Sequence, residues 1–123
     1  MERIGGWPLE RQAVCDSSNS ELLRRAASLP DRHALVVDGQ TAGRGRQGRG
    51  WHSPPGANLY LSLFARLPLA ARALGGLSLA VGVGVAETLR GLGAAEVGLK
   101  WPNDLLARGR KLGGILIEIA GSG

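Results

Sequence analysis

The hydrophobic positions of this chain fall into short groups separated by Gly, Pro or polar clusters, and the groups differ in period. Ser17-Ser18-Asn19-Ser20-Glu21 offers several N-cap candidates ahead of Leu22, Leu23, Ala26 and Ala27. That pattern predicts a helix from about Ser18 to Ser28, stopped before Pro30. Ala34-Leu35-Val36-Val37 is a short apolar run between polar breaks, which predicts a buried strand. From Gln40 to Pro55 aliphatic residues all but vanish, so a long loop is expected. Asn58 to Arg66 then alternates Leu59, Leu61 and Leu63 against Tyr60, Ser62 and Phe64, the pattern of a strand with one face fully buried.

Ala70 to Leu92 reads as one long apolar helix, interrupted by Gly75, Gly76, Gly82 and Gly84, whose small size suits close packing on a sheet. Val97–Trp101, Leu105–Leu106 and Ile115–Ile119 predict strands, with Arg108-Gly109-Arg110 as a hairpin turn between the last two. The order of elements implies an α+β fold, a mixed β-sheet covered by helices on one face. The sequence ends on Ile119–Gly123 just as a strand finishes. The expectation is a single partial domain over residues 1–123, its remaining strands supplied by further polypeptide.

Composition narrows the class. With 123 residues, 44% hydrophobic and 20% charged, the chain suits one globular domain with one core. Cys15 is the lone cysteine, which excludes an intrachain disulfide and a two-cysteine metal site. The N-terminal residues lack the apolar core of a secretion signal. The most apolar stretch, Ala73 to Ala86, is shorter than the ~20 residues of a membrane span. A cytoplasmic protein with no membrane partner is expected. The net charge of +5 points to an anionic partner, or to a chain that writes Arg wherever a cation will do. Location decides between them.

The segment QTAGRGRQGRGW, Gln40 to Trp51, interleaves Gly43, Gly45, Gly48 and Gly50 with Arg44, Arg46 and Arg49. Glycine lets a backbone come close to a ligand, and arginine presents a planar fork of donors matched to phosphate or carboxylate. Together they make a wrap for a small anion, expected to be mobile when empty because its guanidinium groups repel one another. Gly43-x-Gly45-x-x-Gly48 matches the dinucleotide-binding fingerprint in letter only, because Arg49 to Pro55 cannot open the helix that fingerprint requires. No Lys-Ser/Thr pair closes it as a Walker loop. An RGG-type RNA-binding segment is the rival, but such segments repeat in disordered regions, whereas this is one copy between two strands.

Of the 15 basic residues only two are lysines, Lys100 and Lys111, and both lie in LKWPNDLLARGRKLGGILIE. A lysine ammonium is a compact charge that can bridge a carboxylate and a phosphate. Trp101-Pro102-Asn103-Asp104 reads as a turn, and spacing alone allows it to be only a capped turn beside a surface lysine. Asp104 is a candidate oxygen ligand for Mg²⁺. The glycines after Leu112 admit close backbone approach, so Gly114 can present its N–H to a ligand.

These segments together resemble the biotin protein ligases. GRGRQGRGW matches that family's biotin- and adenylate-binding loop, KWPNDLL and KLGGILIE follow in the family order, and Asp16-Ser17-Ser18-Asn19 stands where the family has a serine-threonine-asparagine biotin-pocket motif. Ser18 replaces the usual threonine and keeps its hydroxyl. The resemblance covers nearly all of residues 12–120. It implies the biotin/lipoate protein ligase catalytic fold, related to class II aminoacyl-tRNA synthetases. By matching position it implies that Ser17, Ser18, Asn19, Gln40, Gly43, Arg44, Arg46 and Gly114 line the biotin and adenylate site, with Arg46, Arg49 and Trp51 against the adenylate. Lys111 would meet the biotin carboxylate and the α-phosphate, making Lys111 and Arg46 the catalytic cations. Asn103 and Asp104 would lie near the ATP phosphates and Mg²⁺, and Lys100 would be structural.

The resemblance further implies biotin and ATP as substrates, Mg²⁺ as the accompanying ion, and a biotin carboxyl carrier protein as acceptor. A homodimer is left open. Few residues precede Ser17, so no helix-turn-helix domain and no DNA partner are expected. The family's catalytic domain continues beyond the KLGGILIE strand into further strands and a small C-terminal β-barrel, so weak or no activity is expected of these residues alone. The alternatives are a lipoate-type ligase of the same fold, or a non-catalytic biotin- or RNA-binding fragment.

Overall fold

The computed structural model describes residues 2–68, 70–101 and 104–119. They divide into two compact units, Met1–Pro68 and Leu69–Gly123.

The first unit is a four-stranded mixed sheet with one helix on it. Strands β1 (Arg3–Ile4), β2 (Trp7–Cys15), β3 (Arg32–Gln40) and β4 (Tyr60–Ala65) lie in the order β1-β2-β3-β4. β2 and β3 run parallel, and the other pairings are antiparallel. The parallel pair needs a crossover, and helix α1 (Ser18–Arg24) supplies it. Ser17 caps that helix by accepting the backbone N–H of Ser20. The helix is shorter than its sequence predicts. At Arg25 the backbone leaves the α region, and a 3₁₀ turn over Ala26–Ser28 finishes the segment before Pro30.

α1 packs on β3 and β4, burying Leu22, Leu29, Leu35, Val37 and Tyr60 with Cys15 and Phe64 against them. The buried face of β4 is therefore the Tyr60 and Ser62 face, while Leu59, Leu61 and Leu63 on its other face are exposed. Tyr60 reaches the core without stranding its hydroxyl, which donates to the Pro54 carbonyl at 3.0 Å.

Strand β2 is not foreseen in the sequence because its core-side positions carry charge. Glu10 is held there by Arg25 (2.8 Å) and by His33 Nε2 (2.8 Å), so the strand reads as polar while being pinned to the sheet.

In the second unit, helix α2 (Leu74–Gly91), entered through a 3₁₀ turn at Ala71–Ala73, packs on β5 (Val97–Lys100) and β6 (Asp104–Ala107). Ala86, Val97 and Leu105 form its core, with Val85, Leu89 and Leu99 around them. Strand β7 (Arg110–Gly114) completes an antiparallel sheet of order β5-β6-β7. The β6–β7 turn is Arg108-Gly109, both at positive φ (53° and 75°), as a two-residue hairpin requires. This corrects one expectation. The last strand is Arg110–Gly114 and not Ile115–Ile119, because a two-residue turn leaves residues 110–114 opposite β6 and carries 115–119 past its end. No helix among the described residues is long and apolar enough to cross a membrane.

Candidate functional site

In the first unit a line of neutral polar side chains runs beneath the glycine-arginine loop. Ser17 and Ser18, at 3% and 5% exposure, are buried, although serine is usually a surface residue. Their burial is explained by their partners. Gln40, at the end of β3, accepts the Ser18 backbone N–H at 2.7 Å and faces its hydroxyl at 3.1 Å through the same Oε1. The Ser18 hydroxyl is 2.6 Å from that of Ser62, which donates to Asn19 Oδ1 at 2.5 Å. On its other side Gln40 Nε2 donates to Ser53 Oγ at 3.0 Å, and Ser53 donates to the Trp51 carbonyl at 3.0 Å. Four predicted residues, Ser18, Asn19, Gln40 and Trp51, thus share one connected cluster, and Ser17 stands beside it as the cap of α1.

Backbone bonds fix this cluster to the sheet. Thr41 N–H donates to the Cys15 carbonyl (2.9 Å) and Ala42 N–H to the Asp16 carbonyl (2.8 Å), which clamps the start of the loop to the turn before α1. Asp16 in turn accepts both Arg24 Nη1 (2.8 Å) and Nη2 (2.9 Å). That pairing, with the Ser17 N–H, holds its carboxyl well below the usual carboxylate range.

The loop has its own frame. Trp51 N–H donates to the Gly43 carbonyl (2.8 Å), Gly45 N–H to the Arg49 carbonyl (2.7 Å), and Arg44 bridges to Gly50. A β-turn over Arg46–Arg49 forms the tip, closed by the Arg49 N–H on the Arg46 carbonyl (3.1 Å), with Gln47 and Gly48 both at positive φ (59° and 73°). Gly43 sits at the neck, where a Cβ would lie 2.6 Å from both Ser53 Oγ and the Trp51 carbonyl oxygen, so no other residue fits without displacing one of them. Arg44 is half-buried and its Nε donates to Ser20 Oγ at 3.1 Å. Arg46 and Arg49 are exposed at the tip and make no ion pair among the described residues. Two exposed cations thus stand on the loop that links Gln40 to Ser53.

The predicted residues of the second unit gather on one face of its sheet. Paired residues on neighbouring antiparallel strands point to the same side. Lys100 pairs with Asp104, Leu106 with Lys111, and Asp104 with Gly114. The register slips between Leu105 and Leu106, leaving Leu112 as the extra residue of a β-bulge. Without it Lys111 and Gly114, three residues apart, would face opposite sides. With it they share the face of Asp104 and Lys100, while Val97, Leu99 and Leu105 occupy the opposite, α2-packed face. Lys111 Nζ is 3.1 Å from Asp104 Oδ1. Asn103 lies outside the described residues. No group of three or more His, Cys, Asp or Glu able to hold a metal ion occurs among the described residues.

Sequence reading missed Ser53 and Ser62, both 4% exposed. The signal for Ser62 was present: it is the polar residue on the buried face of an alternating strand, and such a hydroxyl needs a partner.

A β2-α1-β3 crossover carrying a capped serine pair, a glycine-arginine hairpin after it and a lysine-glycine bulge further on define a recognisable class. The Biotin/lipoate A/B protein ligase family matches residues 12–123, and the chain belongs to that family. Among its relatives, the bifunctional ligase/repressor BirA of Escherichia coli is 54% identical over 121 residues, covering 98% of this chain and 38% of the relative. The biotin–[acetyl-CoA-carboxylase] ligase of Mycobacterium tuberculosis is 48% identical over 94% of this chain and 46% of its own length. The chain thus spans less than half of either relative. Of solved structures, the biotin protein ligase from Aquifex aeolicus in complex with biotin and ATP is similar at a TM-score of 0.81 and 36% identity, over 92% of this chain and 47% of that one. The Leishmania major biotin protein ligase in complex with biotinyl-5-AMP is similar at a TM-score of 0.75 and 29% identity, over 93% and 53%.

Proposed function

We propose that these residues form the biotin- and adenylate-binding portion of an ATP-dependent biotin protein ligase. The observation that carries this reading is the pairing of a neutral, hydrogen-bonded cluster (Ser18, Gln40, Ser53, Ser62) with a charged hairpin tip (Arg46, Arg49) on the loop that links Gln40 to Ser53. A neutral polar ring joined to an anionic group is the ligand such a pair suits. Biotin and its adenylate are of that kind.

In the proposed reaction a biotin carboxylate oxygen attacks the α-phosphorus of ATP, the bond to the β-phosphate bridging oxygen breaks, and pyrophosphate leaves. A lysine amine of a biotin carboxyl carrier protein then attacks the acyl carbon of biotinyl-5′-AMP, giving the amide and releasing AMP as the amine loses its proton. No protein nucleophile is needed. What the chain supplies is charge neutralisation and alignment of two anions that repel each other. Arg46, Arg49 and Lys111 are the cations assigned to this task, with Gly114 N–H as a further donor and Trp51 beside the nucleotide. Asp104 is a single carboxylate, which fits Mg²⁺ that arrives with its phosphate and water oxygens and needs only one or two protein ligands. That ion would neutralise charge on the departing pyrophosphate.

Thermal denaturation with and without biotinyl-5′-AMP tests the reading. The adenylate raises the midpoint of the unaltered chain, and Arg46→Ala or Lys111→Ala removes most of the shift. An unchanged midpoint in the unaltered chain defeats the proposal.

A further inference from the structure

Gln40 is held from both ends, and this fixes which of its atoms a ligand can meet. The Ser18 backbone N–H can only donate, so the group 2.7 Å from it must be the amide oxygen. Ser62 gives its one proton to Asn19, so the 2.6 Å contact with Ser62 takes the Ser18 hydroxyl proton, and the Ser18 N–H is the bond that fixes Oε1. The opposite end faces Ser53 Oγ at 3.0 Å, and the single Ser53 proton is committed to the Trp51 carbonyl at 3.0 Å. Ser53 can therefore only accept from Gln40. The oxygen is demanded on one side and the nitrogen on the other, and Nε2 retains one unused N–H.

Ser53 is placed to hold this arrangement. It is 4% exposed, its backbone carbonyl accepts the Gln40 N–H at 3.0 Å, and its hydroxyl is wedged against Gly43, where even a Cβ would lie 2.6 Å away. Water has little room to replace that hydroxyl. We propose that Ser53 is a specificity-determining positioning residue: by accepting from Nε2 it locks the Gln40 amide so that the pocket offers a ligand ring an N–H donor, and so selects an acceptor on that ring. The inference rests on the reading above for the identity of the ring.

Two measurements test it, one without ligand. In a double-mutant cycle on thermal stability, Ser53→Ala and Gln40→Met each lower the midpoint, and the pair together lowers it by clearly less than the sum, because both remove the same bond. Additive losses overturn the claim that Ser53 holds Gln40. In the second, calorimetry compares biotin with 2-iminobiotin, whose ring at neutral pH is a guanidinium offering donors only. The unaltered chain prefers biotin, and Ser53→Ala weakens biotin binding on the order of 10-fold while narrowing the preference, because the amide, still held at its oxygen by the Ser18 N–H, loses the bond that aims its second N–H at a ring acceptor. Equal loss for both ligands, with the preference intact, overturns the specificity role. If the unaltered chain binds neither ligand, the biotin reading fails and the stability cycle still decides the positioning. Should Ser53→Ala not fold, Ser53→Cys, a weak donor and acceptor in the same place, makes the same comparisons.

Discussion

Lys111 Nζ lies 3.1 Å from Asp104 Oδ1, across two strands of the small sheet, with both side chains partly open to solvent (47% and 31% exposed). An ion pair this exposed contributes about 0–1 kcal/mol to folding. On the proposed reading its value lies in function, with the carboxylate keeping the lysine on the face it shares with Gly114 until an anion arrives. Lys111→Ala is therefore expected to leave the ligand-free melting midpoint within a few degrees while weakening biotinyl-5′-AMP binding, by calorimetry, on the order of 10–100-fold. Lys111→Arg is expected to restore little, because the compact ammonium and the forked guanidinium are not interchangeable. A large drop in the ligand-free midpoint would instead assign Lys111 to stability.

The bulge at Leu112 decides which way Lys111 faces. Side chains alternate along a strand, so removing one residue turns everything on one side of the cut to the opposite face. Deleting Leu112 alone removes the extra residue and leaves Lys111 and Gly114 on one face of a regular strand, whereas deleting Gly113 with it makes the two adjacent and turns Gly114 to the opposite, α2-packed face. The single deletion is expected to keep the thermal shift from biotinyl-5′-AMP, and the double deletion to fold, by circular dichroism, without gaining stability from it. A double-deletion variant with an undiminished adenylate shift would mean that the shared face of Lys111 and Gly114 has no part in building the site.

Gly43 is the tightest point of the loop. A methyl group there must push away Ser53 Oγ, the Trp51 carbonyl or Gln40 Nε2, which would lie 2.6, 2.6 and 2.9 Å from it. All three belong to the network that joins the pocket wall to the arginines. Gly43→Ala should cost about 1–3 kcal/mol of stability, the range for forced overpacking. It should also weaken biotinyl-5′-AMP binding more than Gly45→Ala, because the nearest atom to a Cβ at Gly45 is 3.7 Å away. Urea unfolding and calorimetry on the two variants make the comparison, and equal effects would remove Gly43 from its special place.

How far the sequence speaks for itself varies by residue. α2 is legible because its apolar run is long, and the Arg108-Gly109 turn because few sequences other than a hairpin favour two consecutive positive-φ positions. β2 is not, because Glu10 and Arg11 interrupt its pattern and only Arg25 and His33, distant in sequence, make Glu10 acceptable there. The strand at Ile115–Ile119 was misplaced because apolar content marks burial, whereas strand position is set by what the hairpin brings opposite β6. Within the site, Gln40, Arg44, Asp104 and Lys111 announce themselves by chemistry. Ser53 does not. Nothing in His52-Ser53-Pro54 says that its hydroxyl meets Gln40, since that follows from a bridge pairing thirteen residues apart.

Glu10 makes the first unit sensitive to acid. Its carboxylate accepts from Arg25 at 2.8 and 3.1 Å, and hydrogen bonds from Gln12 (2.8 Å) and His33 Nε2 (2.8 Å) add to that. These bonds, Arg25 first, lower its pKa from 4.5 to about 2. The other charged group close by is Glu21, which shares Arg25 at 3.4 Å. A carboxylate whose folded pKa is depressed binds its proton more readily when unfolded, so its contribution is complete above about 4.5 and declines as the pH falls toward 2. The contribution is on the order of 2 kcal/mol. Glu10→Gln keeps the shape but loses the charge and one of the two acceptor oxygens, so Arg25 and His33 Nε2 no longer share an anionic partner. The variant should be less stable than the unaltered chain at neutral pH by about 1–3 kcal/mol. The gap between the two urea midpoints should shrink steadily below pH 4.5, because protonation then does to the native residue what the substitution has already done. A gap that is the same at pH 2.5 as at pH 7 would show that Glu10 stabilises the sheet by packing alone.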